Sequence, residues 1–226
     1  MNLEDVKKVL TDLAIRKKIF HSEAELQFEL GVEFKKNLGN VEIWFEYPAS
    51  LLKNHSELLG NDKNRSPMID LVIIENGDFY PIEIKYAKGK LEYKDENENE
   101  YILSDNGKDK SFFYVYDIRR LELFASKYSR FKKGYAIIIS NNEDWYRSQA
   151  PKKRDKFTFD FYLINNSDNE LKGEIWYQLQ TDEKKHVILK DKYKTEWAEY
   201  SSLEPKSKNS EFKYLICEIK QKNTLV

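Results

Sequence analysis

Apolar residues recur at Leu3, Val6, Leu10, Leu13 and Phe20, a helical spacing that predicts an amphipathic helix over residues 3–20. Ser22 then opens a second helix. Ser22 and Glu25 match the S-x-x-E capping box, Leu26, Leu30 and Phe34 form the buried stripe, and Gly39 follows the last periodic residue. The period changes to two at Val41, Ile43, Phe45 and Tyr47, set against Glu42, Trp44 and Glu46, which predicts a strand ended by Pro48. Two strongly apolar runs flank Asn76-Gly77, a dipeptide that signals a tight hairpin. Both faces of these runs are apolar, so the strands belong at the centre of a sheet.

Residues 88–110 are highly charged and predict an inserted loop or small hairpin. Residues 111–130 return to helical spacing through Tyr114, Ile118, Leu121, Ala125 and Tyr128, and Gly134 breaks the pattern before a buried strand at 135–140. Further strands are expected at 157–164, 173–180 and 212–219, with 181–210 mostly irregular. A helical crossover between 79–86 and 135–140 makes those two strands parallel neighbours. The expected fold is α/β: a mixed sheet with helices packed on it, in a single domain over 1–226. Its core covers about 20–140, preceded by the helix of 3–20 and followed by a strand extension over 141–226.

Composition narrows the function classes. The chain has 226 residues, 38 Lys and Arg against 39 Asp and Glu, a net charge of −1, three His and one Cys. One cysteine, Cys217, excludes an internal disulfide framework and a cysteine zinc ribbon. His21, His55 and His186 share no ligand spacing. Near-neutral charge argues against a purely electrostatic nucleic-acid binder but allows a local basic surface offset by an acidic site. No apolar run approaches ~18 residues and the first residues are acidic, so a cytoplasmic location is expected.

Asp70 and Glu83 interrupt the two hairpin runs, and Lys85 follows two residues later. A two-residue turn at Asn76-Gly77 pairs Glu75 with Asp78. Five further steps along each strand bring Asp70 opposite Glu83, with Cβ atoms roughly 4.5–5.5 Å apart. Lys85 shares the face of Glu83 by strand alternation. Two carboxylates this close raise a pKa or recruit a cation, and an oxygen-only pair suits Mg²⁺ or Mn²⁺. The plainer account is an Asp70–Lys85 ion pair at the sheet end.

Pro67, Asp70 and the run Glu83-Ile84-Lys85 together resemble the PD-(D/E)XK nuclease superfamily, which includes restriction endonucleases and Holliday junction resolvases. In this chain Met68 and Ile69 separate the proline from the aspartate. The resemblance implies a restriction-endonuclease-like αβββαβ core and divalent-metal-dependent hydrolysis of phosphodiester bonds in DNA. Restriction, defence and repair settings are all compatible. Asp70 and Glu83 would hold Mg²⁺ or Mn²⁺, and Lys85 would position the attacking water. The superfamily also places an acidic residue on the first core helix; Glu23, at the border of the buried stripe, is the choice here as a third catalytic and metal-binding carboxylate. Gln27 lies one turn further along. Asp117 and Arg120, on the 111–130 helix, are supporting candidates, although an i,i+3 ion pair on the helix flank explains them better. The alternative function is a non-catalytic nucleic-acid or protein-binding module that retains the fold.

Arg147, Lys152, Lys153 and Arg154 form a basic stretch beside Trp145 and Tyr146, a composition that can grip phosphates and stack bases, although an ordinary solvated linker explains it slightly better. Lys132 and Lys133 suit the C-terminal dipole of the preceding helix. Cys217 lies in an apolar run and reads as a small core residue. Duplex cleavage with one site per chain calls for a homodimer or sequential nicking.

Overall fold

The computed structural model describes residues 1–52, 67–105, 110–146, 157–159, 163, 166–179 and 185–221. Two helices come first, α1 (Leu3–Arg16) and α2 (Glu23–Leu38), followed by β1 (Glu42–Pro48) and a 3-10 turn at Ser50–Leu52. β2 (Met68–Glu75) and β3 (Asp78–Ala87) form the hairpin, and β4 (Leu91–Lys94) pairs with β5 (Glu100–Leu103). α3 (Lys110–Lys127) leads to β6 (Lys133–Ser140) and the short α4 (Glu143–Tyr146). β7 (Phe157–Phe159), β8 (Asn166–Leu179), β9 (Lys185–Thr195), β10 (Ala198–Ser202) and β11 (Glu211–Lys220) complete the described elements.

The main sheet has six strands in the order β1-β2-β3-β6-β11-β10. β3 and β6 are parallel across the α3 crossover and the other neighbours are antiparallel. The molecule is therefore mixed α/β, and the hairpin occupies the sheet interior as its apolar faces require. Asn76 and Gly77 both adopt positive φ, 52° and 87°, the backbone of a tight two-residue hairpin turn. On one face α1 and α2 pack Val6, Leu10, Leu13, Leu26, Leu30 and Phe34 against Leu71, Ile73, Ile82, Ile84 and Ile137. On the other, α3 packs Tyr114, Ile118, Leu121 and Phe124 against Val72, Ile74, Ala136 and Ile138. Each such fully buried Leu, Ile or Phe contributes about 1.5–3 kcal/mol. Among the described residues no helix is long and apolar enough to cross a membrane.

Several expectations are corrected. α1 stops at Arg16, because Lys17 turns extended; Phe20 is fully buried outside any helix, its ring edge-on to Tyr86. Ser22 caps α2 by accepting from the Glu25 N–H, but the Glu25 carboxylate takes the His21 N–H and the Lys17 ammonium, so the box closes one residue early. The segment 181–210 contains β9 and β10. Its alternation of Val187, Leu189 and Tyr193 is real, but intervening lysines on the outer face disguise it. Lys133 lies in β6 on Glu218, and Lys132 lies 3.7 Å from Asp78, so neither serves the end of α3. Trp145 and Tyr146 are buried and offer no face for base stacking. Arg147, Lys152, Lys153 and Arg154 lie outside the described residues. Cys217 is a core residue, as expected, and burial pushes its thiol up to about 12.

The three-stranded sheet β7-β8-β9 covers α3 from outside. Its anchor is Glu122 of α3. That carboxylate accepts the Lys190 and Asp191 N–H groups and the Tyr193 hydroxyl, and pairs with Arg119.

Candidate active site

The sheet splits at its centre. Paired residues of β2 and β3 run from Glu75–Asp78 to Leu71–Ile82, the register read from the turn, and stop one step short of Asp70 and Glu83. Beyond that point β2 remains on β1 as far as Met68, while β3 remains on β6 as far as Ala87. The N–H groups of Ile84 and Tyr86, two residues apart, point to the same side and lack β2 as acceptor. Two carboxylates replace it. Asp70 Oδ2 accepts from Ile84 at 2.7 Å, and Glu23 Oε2 accepts from Tyr86 at 2.8 Å. Ser22 starts α2 immediately before Glu23, so the cap fixes the point from which this carboxylate reaches β3.

α3 closes the site from its own face. Glu83 and Lys85 alternate with Ile82 and Ile84, whose side chains are buried under α1 and α2, and so look toward α3. Arg120 brings Nε to 2.9 Å from Glu83 Oε1, pairs through Nη2 with Asp117, and donates from Nη1 to the Met68 carbonyl at 2.9 Å. Asp117 Oδ2 lies 2.8 Å from Lys85 Nζ. Asp117 and Arg120 thus form the i,i+3 pair and also join the motif residues. Lys85 Nζ lies 3.8 Å from Glu23 Oε1, and Lys110 Nζ, at the start of α3, lies 3.2 Å from Glu23 Oε2. Gln27 donates one amide group to the Asp70 carbonyl at 2.6 Å and to Glu46 at 2.9 Å. Glu46 itself adopts φ 49°, a local kink in β1 opposite Asp70.

Burial is graded along this network. Glu83 and Asp117 are each 1% exposed, whereas the Glu23 and Lys110 side chains are 36% and 26% exposed. Burial pushes the Asp70 carboxyl up to about 6, helped by the Asp117 charge and opposed by Lys85. Burial also holds Glu83 well above the usual carboxylate range, against the attraction of Arg120. Burial pulls Lys85 down, but Asp117, Asp70, Glu23 and Glu83 outweigh it and hold it above the ordinary lysine value. Lys85 is therefore an ammonium at neutral pH, able to donate but not to abstract a proton.

Ionised, the network holds four carboxylates (Asp70, Glu83, Asp117, Glu23) against three cations (Lys85, Arg120, Lys110). The unbalanced charge falls on the buried end. Neither Glu83 oxygen has a well-aligned hydrogen bond, although Arg120 supplies charge beside it. A further proton or a bound cation would balance the cluster. Among the described residues no three Asp, Glu, His or Cys side chains are placed to hold a metal ion. The two carboxylates that the motif names are Asp70, with one oxygen on the Ile84 N–H, and Glu83, buried beside Arg120. Glu23, expected as a third ligand, has its oxygens on the Tyr86 N–H, Lys110 and Lys85.

His21 stacks on Tyr101 and binds Glu25, and His186 binds Glu174; neither joins the carboxylates. Sequence reasoning missed Lys110. Its one signal is a cation in the first turn of a helix, where carboxylates are favoured. Comparison with family models, with characterised proteins and with solved structures found no match to this chain.

Proposed function

We propose that this protein is a divalent-metal-dependent nuclease that hydrolyses phosphodiester bonds in DNA, built on a restriction-endonuclease-like core. The observation that carries this reading is the excess of carboxyl groups over cations in the buried cluster, Asp70, Glu83 and Asp117 against Lys85 and Arg120, set at the split between β2 and β3. Asp70 and Glu83 are the residues that would hold Mg²⁺ or Mn²⁺. Bound there, the metal would supply Lewis-acid polarisation of a phosphoryl oxygen and a water of lowered pKa.

The chain's own residues supply positioning and charge. Lys85, fixed by Asp117, donates a hydrogen bond toward a phosphoryl oxygen or the attacking water. Asp117 and Arg120 hold Lys85 and Glu83 at fixed rotamers, which limits reorganisation during reaction. Gln27 ties the Asp70 backbone to α2 and to Glu46, so the aspartate is held from both flanking elements.

The ion pair between Arg120 and Glu83 favours a second reading, a nucleic-acid or protein-binding module in which the cluster is purely structural. Incubation of the protein with plasmid, single-stranded DNA and RNA, with and without Mn²⁺, separates them. Metal-dependent cleavage of DNA that disappears in Asp70→Asn supports the nuclease. Absence of cleavage, together with no heat of Mg²⁺ or Mn²⁺ binding by calorimetry, supports the module.

A further inference from the structure

We propose that this chain forms a two-fold symmetric dimer through the outer edge of β1, with a second copy of the chain as the occupant. The inference stands apart from the nuclease reading and does not need it.

The two edges of the main sheet, β1 and β10, are finished differently. β10 leans on the link between α1 and α2, where the Tyr200 and Ser201 hydroxyls donate to the Lys17 and Lys18 carbonyls. At β1, among the described residues, no strand pairs with the outer edge. Apolar side chains stay open around it: Trp44 is 46% exposed, Phe45 43%, Phe28 59% and Val32 42%. Ile43 and Phe45 pair with Ile73 and Leu71 and so share the α2 face, while Trp44 pairs with Val72 and shares the α3 face. An open edge with rings on both faces is a surface that sheets ordinarily avoid.

The rings are fixed in place. Phe45 lies across Gly31 of α2, so close that a Cβ there would come within 2.5 Å of its Cζ. Glycine is a poor residue inside a helix. α2 gives up helix propensity at Gly31 to seat a ring that is still nearly half open. Phe28 stacks on Phe45 with centroids 6.2 Å apart, and Trp44 stacks on Tyr47 at 5.6 Å. Aromatic side chains held this way are the usual centre of a protein interface.

Symmetry selects the register. An antiparallel pair of identical strands about a two-fold axis normal to the sheet sets one residue opposite itself. Glu46 turns aside with φ 49° and Pro48 has no N–H to offer, so the usable run is 41–45. Centred on Ile43, that run sets Val41 against Phe45 and Glu42 against Trp44, with no carboxylate facing another. Centred on Trp44 it would oppose Glu42 and Glu46, which is unfavourable. Both α2 faces then fall on the same side of the joined sheet. The three open rings leave roughly 300 Å² of apolar surface on each copy. A stable interface takes about 800 Å² from each partner. The rings make its centre, and the rest falls to the strand edge and the outer flank of α2.

The test is sedimentation velocity of the full-length protein from nanomolar to submillimolar concentration, beside Phe28→Lys and Trp44→Lys. Both substitutions fall on half-open side chains, so circular dichroism and the melting temperature of dilute samples should match the wild type. Each should weaken the dimer at least about tenfold, the scale of an aromatic hot spot. Ile43→Cys reads the register without disturbing the rings. It brings two thiols face to face with Cα atoms about 4.5–5.5 Å apart, within disulfide reach. The native Cys217 is buried, so mild oxidation should give a covalent dimer of Ile43→Cys and none of Ser202→Cys, on the β10 edge. A wild type that stays monomeric throughout, or a dimer untouched by both lysine variants, would overturn the proposal. So would a dimer that Ser202→Cys traps and Ile43→Cys does not. None of these results bears on metal-dependent cleavage, so the two readings fail separately.

Discussion

Arg120 holds its Nε 2.9 Å from an oxygen of Glu83, whose side chain has no exposed surface. The same guanidinium also reaches Asp117 and the Met68 carbonyl, so one side chain of α3 ties both separated strands together. Removing one partner of a buried ion pair leaves an uncompensated charge and typically costs about 3–5 kcal/mol. Arg120→Ala should therefore destabilise the protein by about that amount near pH 8. Without the guanidinium the raised Glu83 pKa rises further. A folded-state pKa above the unfolded one gives stability that is present at low pH and lost as pH rises. The deficit of Arg120→Ala should thus shrink toward pH 5, as read by urea unfolding at several pH values. The double variant Glu83→Gln with Arg120→Met should recover most of the loss.

Asp70 gives a complementary result. Its carboxyl is raised from 3.8 to about 6 in the folded protein, so the folded state holds the proton more tightly. Stability from this group is full below about pH 4 and is lost as pH rises through about 6. Asp70→Asn keeps an acceptor for the Ile84 N–H and removes the charge. In chelator it should be more stable than wild type at pH 7–8, by up to about 3 kcal/mol, and equal to it near pH 4. Thermal melts across that range test this. If Asp70→Asn melts markedly earlier at neutral pH, Asp70 is a structural ion-pair partner, probed next with Lys85→Met.

Divalent metal should reverse the order. A ligand that binds only the native state stabilises it, by about 2.7 kcal/mol at a hundredfold excess over its Kd. Wild type should gain melting temperature with Mg²⁺ or Mn²⁺, and the gain should grow from pH 5 to pH 8 as the proton leaves Asp70. Asp70→Asn and Glu83→Gln should lose most of it. A gain retained by both variants would place metal binding elsewhere.

Glu122 predicts an effect far from the site. It is 7% exposed and accepts from two N–H groups of β9 and from Tyr193. Glu122→Ala orphans these donors, at about 1–3 kcal/mol for each buried unsatisfied group. Hydrogen exchange should quicken in β8 and β9 while β3 and β6 stay protected. Uniform acceleration across the molecule would show that β9 and the main sheet unfold as one unit.

The hairpin register was legible because Asn76-Gly77 fixes the turn, and the turn then fixes every pair outward until the strands part. The parallel β3–β6 pairing followed from one crossover helix. The split itself was not legible, since nothing in the pattern of Ile69 to Leu71 marks where β2 abandons β3. The roles of Asp117, Arg120 and Lys110 were hard to read for a related reason. Their partners lie across the crossover, and only the packing angle of α3 brings them to Lys85, Glu83 and Glu23. β9 was hidden by its own amphipathicity: lysines on its outer face made an alternating strand resemble a charged linker.

The carboxylates on the Ile84 and Tyr86 N–H groups have a consequence for assembly. A strand that leaves its neighbour exposes a row of donors, and such an edge invites a strand from another molecule. Asp70 and Glu23 close that row with groups that no incoming backbone can match. Both positions therefore answer to solubility, whatever chemistry they serve. Replacing either by alanine should expose a short adhesive edge in the middle of the sheet, so loss of soluble protein in such variants would report on self-association rather than on catalysis.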